Sequence, residues 1–132
     1  MSTVLIADND SAVSSLLTEV LVRAGLSVRH AFDGESAREQ ASLPDVRVLV
    51  CDLDMPKASG LEVLESLAAR PSQPAVVVIS GYLDQVVVER LRRLAFVREV
   101  MRKPFDLLAF AQRVVELVRA TGAPPVSAAA GP

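Results

Sequence analysis

The chain has 132 residues, 51% of them hydrophobic and 23% charged, with a formal net charge of −2. That length suits one domain burying roughly two-thirds of its unfolded surface. Near-balanced charge excludes a nucleic-acid binder that works by basic excess, and the apolar content excludes a disordered chain.

Short aliphatic runs alternate with longer amphipathic stretches. The first run, residues 4–7, reads as a strand and is followed by polar Asp8-Asn9-Asp10-Ser11. Val13, Leu16, Leu17, Val20, Leu21 and Ala24 recur at helical spacing, with Asp10 or Ser11 placed as N-cap and Gly25 just past the end. Residues 26–30 form a short outer strand, and residues 34–43 a weakly amphipathic helix ended by Pro44. Residues 46–51, VRVLVC, are a second clear strand, and residues 60–69 a short helix stopped by Pro71. Residues 75–79, AVVVI, read as a strand buried on both faces. Residues 84–94 read as a helix despite three consecutive valines, which favour helices poorly. A last strand is expected at 97–101 and a strong final helix at 106–119.

Continuous apolar strands separated by helices imply parallel pairing with helices on both faces, in five β-α units. The expected domain is residues 1–120, and residues 121–132, ending in SAAAGP, read as a tail or the stub of a linker. Cys51 is the single cysteine, which excludes an internal disulfide and every multi-cysteine metal motif. No apolar run approaches the roughly 18 residues of a spanning helix, and the N-terminus lacks the basic flank of a signal peptide. An intracellular, cytoplasmic setting is therefore expected.

Ligands of an open parallel α/β sheet bind beyond the carboxyl ends of its strands. Asp8 and Asn9 follow the first strand, Asp52 the third, Ser80 the fourth and Lys103 the fifth. Carboxylates crowded at one edge repel one another unless a cation joins them. Mg²⁺ suits such oxygen ligands, and a lysine and a hydroxyl beside it suit a phosphoryl group. The chemistry implied is phosphoryl transfer onto a carboxylate.

The ordered motifs IADND, CDLDMPKASG, VVISGY and RKPF, spread over about residues 4–119, closely resemble the receiver domain of bacterial two-component response regulators. The resemblance implies a flavodoxin-like, doubly wound parallel sheet of order 2-1-3-4-5 with five helices. It implies Asp52 as phosphoacceptor, Asp8, Asp52 and the backbone carbonyl of Asp54 as Mg²⁺ ligands, and Ser80 and Lys103 as partners of the phosphoryl group. Gly81 would leave that group room, Tyr82 would gate water, and the Lys103–Pro104 bond would be cis.

The chain departs from the family pattern at several positions. Asn9 stands where a second acid is usual; its carbonyl can still ligate Mg²⁺, but the pocket of Asp8, Asp52 and Lys103 then carries −1 rather than −2. Val100 replaces the usual aromatic three residues before the lysine, and Leu94-Ala95-Phe96 replaces the usual small-residue turn. The side chain of Asp54 either restores charge, orients water or faces solvent. Asp10 is expected as a helix cap, Cys51 as core, and His30 as a strand or surface residue. Arg90, Arg92, Arg93 and Arg98 offer a basic rim to a partner, or equally a solvated helix face.

The leading expectation is a non-enzymatic receiver taking phosphoryl from a sensor histidine kinase or phosphotransfer protein. It would change the surface offered to a downstream protein or a tethered output domain, touching neither nucleic acid nor membrane. The alternative is a pseudo-receiver, a docking module independent of phosphorylation, favoured by Asn9 and Val100. A weaker third reading is an aspartyl-phosphate hydrolase with Asp54 as general acid.

Overall fold

The computed structural model describes residues 3–55 and 59–122. Pro56 of the CDLDMPKASG motif and the tail from Ala123 onward lie outside the described residues. Strands and helices alternate throughout: β1 (Thr3–Ala7), α1 (Ser11–Arg23), β2 (Ser27–Ala31), α2 (Gly34–Ala41), β3 (Val46–Asp52). They continue as α3 (Gly60–Leu67), β4 (Ala75–Ser80), α4 (Gln85–Arg92), β5 (Val97–Arg102) and α5 (Leu107–Gly122). All pairings are parallel, in the order β2-β1-β3-β4-β5. This is the expected flavodoxin-like topology.

Alternation along the central strands divides the core into two layers. Leu5, Leu49, Cys51, Val76 and Val78 meet Ala37, Leu64, Leu67 and Leu91 from α2, α3 and α4. Val4, Ile6, Val48, Val50, Val77 and Ile79 meet Leu17, Leu21, Phe110, Val114 and Leu117 from α1 and α5. Successive side chains of a strand point to opposite faces, so strands covered on both sides need an unbroken aliphatic run. The edge strand β5 differs: half-buried residues alternate with exposed ones along it.

Caps fix the helix starts. Asp10 accepts from the amides of Ala12 and Val13, and Ser59 and Glu62 form a reciprocal capping box on α3. Gly25, at φ +91°, takes the left-handed conformation that ends α1. Several boundaries move by one to three residues. Asp106 precedes α5, accepting from the Leu108 and Ala109 amides, and α5 runs to Gly122, past the expected domain limit. The stripe on α1 is narrower than its spacing suggests: Leu17 and Leu21 are buried, whereas Leu16 is 54% exposed.

Candidate functional site

The strand order reverses between β1 and β3, and the residues singled out gather at the carboxyl ends of the strands around that point. Asp52 is the last residue of β3 and Ser80 the last of β4, each one position earlier relative to its strand than expected. Asp8 follows β1 directly and is fully buried; Asp52 is nearly so.

Lys103 brings the two carboxylates together. Its Nζ donates to Asp52 Oδ2 at 3.0 Å and lies 3.6 Å from Asp8 Oδ2. Two neighbouring amides hold the remaining oxygens: Asp10 N–H donates to Asp8 Oδ1 at 2.8 Å, and Asp54 N–H to Asp52 Oδ1 at 3.0 Å. The lysine is itself anchored, its backbone N–H donating to the Ser80 carbonyl at 2.8 Å before a cis bond to Pro104. Gly60 closes the site from behind: a Cβ there would stand 2.3 Å from the Asp52 carbonyl oxygen and 2.7 Å from Leu53 Cα.

Burial raises the Asp8 carboxyl above its ordinary 3.8, and the charge of Asp52 adds to the rise, against the Asp10 amide and Lys103. Burial alone would lower the Lys103 ammonium, but the hydrogen bond and charge of Asp52, with Asp8 behind, carry it above 10.5. Burial pushes the neighbouring Cys51 thiol up, so it stays protonated and serves as core.

A divalent cation fits this donor set. Asp8 Oδ2 is a buried oxygen with no hydrogen-bond partner, and an orphaned carboxylate oxygen beside a second carboxylate is a hard-ion ligand pair. Among the described residues no three acidic, histidine or cysteine side chains converge, and Asn9 and Asp54 are exposed.

Ser80 is buried, but its hydroxyl is turned to the next loop. Oγ donates to the Tyr82 carbonyl at 2.6 Å and accepts from the Tyr82 amide at 3.1 Å. Gly81 has open space where a Cβ would stand, and the Tyr82 side chain is 73% exposed. His30 lies on β2, bonded through Nε2 to Thr18 Oγ1 at 2.6 Å and stacked on Phe32, a structural role. Sequence reasoning missed two features. The Gly60 contact is legible only from the close approach of α3 to β3. An apolar groove of about 420 Å³ between Val13, Leu16, Leu17, Phe105 and Leu107 also opens beside Lys103.

This α/β sheet with a lysine-bridged carboxylate pair at its switch point is the frame of a signal receiver, and residues 4–115 match the response regulator receiver domain family. The chain belongs to that family. It is 31% identical over 116 residues to the transcriptional regulatory protein FixJ of Azorhizobium caulinodans, covering 88% of this chain and 53% of FixJ. With the transcriptional regulatory protein PrrA of Mycobacterium leprae it shares 33% over 125 residues, covering 94% and 53%. With a protein-glutamate methylesterase/protein-glutamine glutaminase of Anaeromyxobacter dehalogenans it shares 32% over 124 residues, covering 89% and 35%. The chain thus spans about half or less of these relatives. A CheY-like receiver domain protein of Methanospirillum hungatei superposes with a TM-score of 0.83 at 18% identity, covering 93% and 98%, which shows the fold. No described helix is long and apolar enough to cross a membrane.

Proposed function

We propose that this receiver accepts a phosphoryl group on Asp52 from the phosphohistidine of a sensor kinase or phosphotransfer protein, with Mg²⁺ held by Asp8 and Asp52. The observation that carries the reading is the Lys103–Asp52 contact of 3.0 Å beside the orphaned Asp8 oxygen. In the transfer, an Asp52 carboxylate oxygen bonds to phosphorus as the bond from phosphorus to the donor's imidazole nitrogen breaks, and that nitrogen keeps the electron pair. Lys103 neutralises charge on the transferred oxygens, and Ser80 supplies a hydroxyl proton to one of them. Mg²⁺, when bound, offsets the charge that would otherwise keep a carboxylate from approaching a phosphate. The Asn9 carbonyl and the Asp54 backbone carbonyl complete its ligands. Because Asn9 brings no charge, Mg²⁺ binds more weakly than to the Asn9→Asp variant, and equal affinities in a titration would refute this.

The chain works as a cytoplasmic binding module rather than a turnover enzyme. The direct test is incubation with Mg²⁺ and acetyl phosphate. A phosphate-sized mass gain, abolished in Asp52→Asn, supports the receiver. No adduct supports the phosphorylation-independent docking module, which the exposed Val100 in the usual aromatic position favours. Rapid turnover of phosphate esters supports the hydrolase.

A further inference from the structure

The groove of about 420 Å³ beside the phosphoacceptor is walled by Val13 and Leu16 of α1, by Phe105, and by Leu107 at the start of α5. Lys103 is the only one of its lining residues whose side chain is polar. Leu16 is 54% exposed and Leu107 37% exposed, so among the described residues nothing closes over them. The wall behind them is preformed: the Phe105 ring packs on the fully buried Phe110 ring with centroids 5.5 Å apart.

The groove and the phosphoacceptor share one side chain. Lys103 lines the groove, and its Nζ donates to Asp52 Oδ2 at 3.0 Å. The surface therefore sets a cation beside the acceptor carboxylate and an aliphatic wall beside the cation. A ligand that matches both halves has an anionic head joined directly to an apolar body.

We infer that this groove receives the acyl group of a small-molecule phosphodonor, so that the receiver prefers acyl phosphates with an apolar chain of several carbons to acetyl phosphate. The inference rests on the receiver reading and names the donor class of the same site. An Asp52 carboxylate oxygen bonds to phosphorus while the bond from phosphorus to the acyl oxygen breaks, and the departing carboxylate keeps that electron pair. Lys103 offsets charge on the phosphoryl oxygens, and the acyl chain lies against Leu16, Phe105 and Leu107. An acetyl group is too short to exploit that wall. Each further methylene that leaves water there raises kcat/KM about threefold. The contact is the same before and during transfer, so the gain falls on KM rather than kcat. Unbranched acyl groups depart as carboxylates of nearly equal basicity, which separates the contact from leaving-group chemistry.

The test labels the full chain with Mg²⁺ and either acetyl or hexanoyl phosphate at equal, subsaturating concentration, reading the phosphate-sized mass gain on Asp52. Hexanoyl phosphate is expected to label roughly tenfold faster or more, with the difference in KM. Leu16→Gln/Leu107→Gln is expected to bring the ratio of the two rates toward one, and Leu16→Met/Leu107→Met to keep it. Leu43→Gln, exposed after α2 and outside the groove, is expected to keep the wild-type ratio. Circular dichroism confirms that each variant folds. Hexylphosphonate, which has no transferable phosphoryl group, is expected to slow labelling by acetyl phosphate more than methylphosphonate does. Equal rates for the two donors in wild type overturn the inference and leave the receiver reading intact, and so does a ratio unchanged in the double glutamine variant. A wild-type dimer in sedimentation that the same variant dissolves also overturns it, since a second copy then fills the groove. Labelling of Asp52 by neither donor sinks the receiver reading and this inference with it.

Discussion

Lys103 holds Asp52 by a 3.0 Å charge-assisted hydrogen bond made across fifty residues of chain, and the same ammonium faces Asp8 at 3.6 Å. It is the only cation in contact with either carboxylate among the described residues. Lys103→Met therefore leaves two crowded, buried carboxylates uncompensated. Breaking a fully buried pair costs about 3–5 kcal/mol; with the lysine 27% exposed, we expect roughly 1–3 kcal/mol in metal-free urea denaturation. Mg²⁺ should bind the variant more tightly than wild type, since one cation no longer repels another, and should recover part of the stability. An unchanged Mg²⁺ affinity would show that the lysine does not share the metal's site.

Asp8 works against the fold when charged. Its carboxyl titrates above the ordinary 3.8 because burial disfavours the anion. The folded state thus holds the proton more tightly than the unfolded chain. The stability tied to that proton is present below pH 3.8 and is lost as pH rises through the folded value. At neutral pH without metal, Asp8→Asn should accordingly raise the melting temperature by several degrees, about 1 kcal/mol or more. The gain should shrink as pH falls toward 4 and vanish when Mg²⁺ saturates the wild type. A variant less stable than wild type at pH 7 would contradict this account.

What could be read in the sequence follows from where physics is local. Alternating aliphatic runs fixed the parallel sheet, because a strand covered on both faces has few other ways to be apolar throughout. Asp10 was legible as a cap from its place before a periodic stripe, and the strand-end rule brought Asp8, Asp52 and Lys103 to one rim. Tertiary packing hid the rest. The stripe on α1 gave no sign that Leu16 would lie in an open groove beside Phe105 rather than in the core. The position of Ser80 was legible, but not its hydroxyl's commitment to Tyr82, which depends on the turn that follows β4.

Gly60 shows how a backbone contact sets the site from outside it. Its amide donates to the Leu53 carbonyl at 3.0 Å, and a methyl group at its Cα would lie 2.3 Å from the Asp52 carbonyl oxygen. Backbone atoms cannot rotate aside as a flexible side chain can, so Gly60→Ala must move the start of α3 or the end of β3. Overpacking of this kind costs about 1–3 kcal/mol. We expect that loss in denaturation, together with slower acquisition of phosphate from acetyl phosphate because Asp52 is displaced from Lys103. Wild-type stability and labelling in the variant would mean that the two segments separate freely.

Ser80 has one hydroxyl proton, and it is already spent on the Tyr82 carbonyl at 2.6 Å. To donate to a phosphoryl oxygen on Asp52, the hydroxyl must release that carbonyl, and the loop around Tyr82 loses its tie. The chain has one tyrosine and no tryptophan, so its intrinsic emission reports on Tyr82 alone. We expect acetyl phosphate with Mg²⁺ to change that emission in wild type and not in Asp52→Asn. In Ser80→Ala both Tyr82 contacts are absent from the start, which should cost about 1 kcal/mol of stability. Its resting emission should already differ from wild type, and its further response should be small even though Asp52 still takes phosphate. A full response in Ser80→Ala would mean that Tyr82 follows phosphorylation by a route that bypasses the serine.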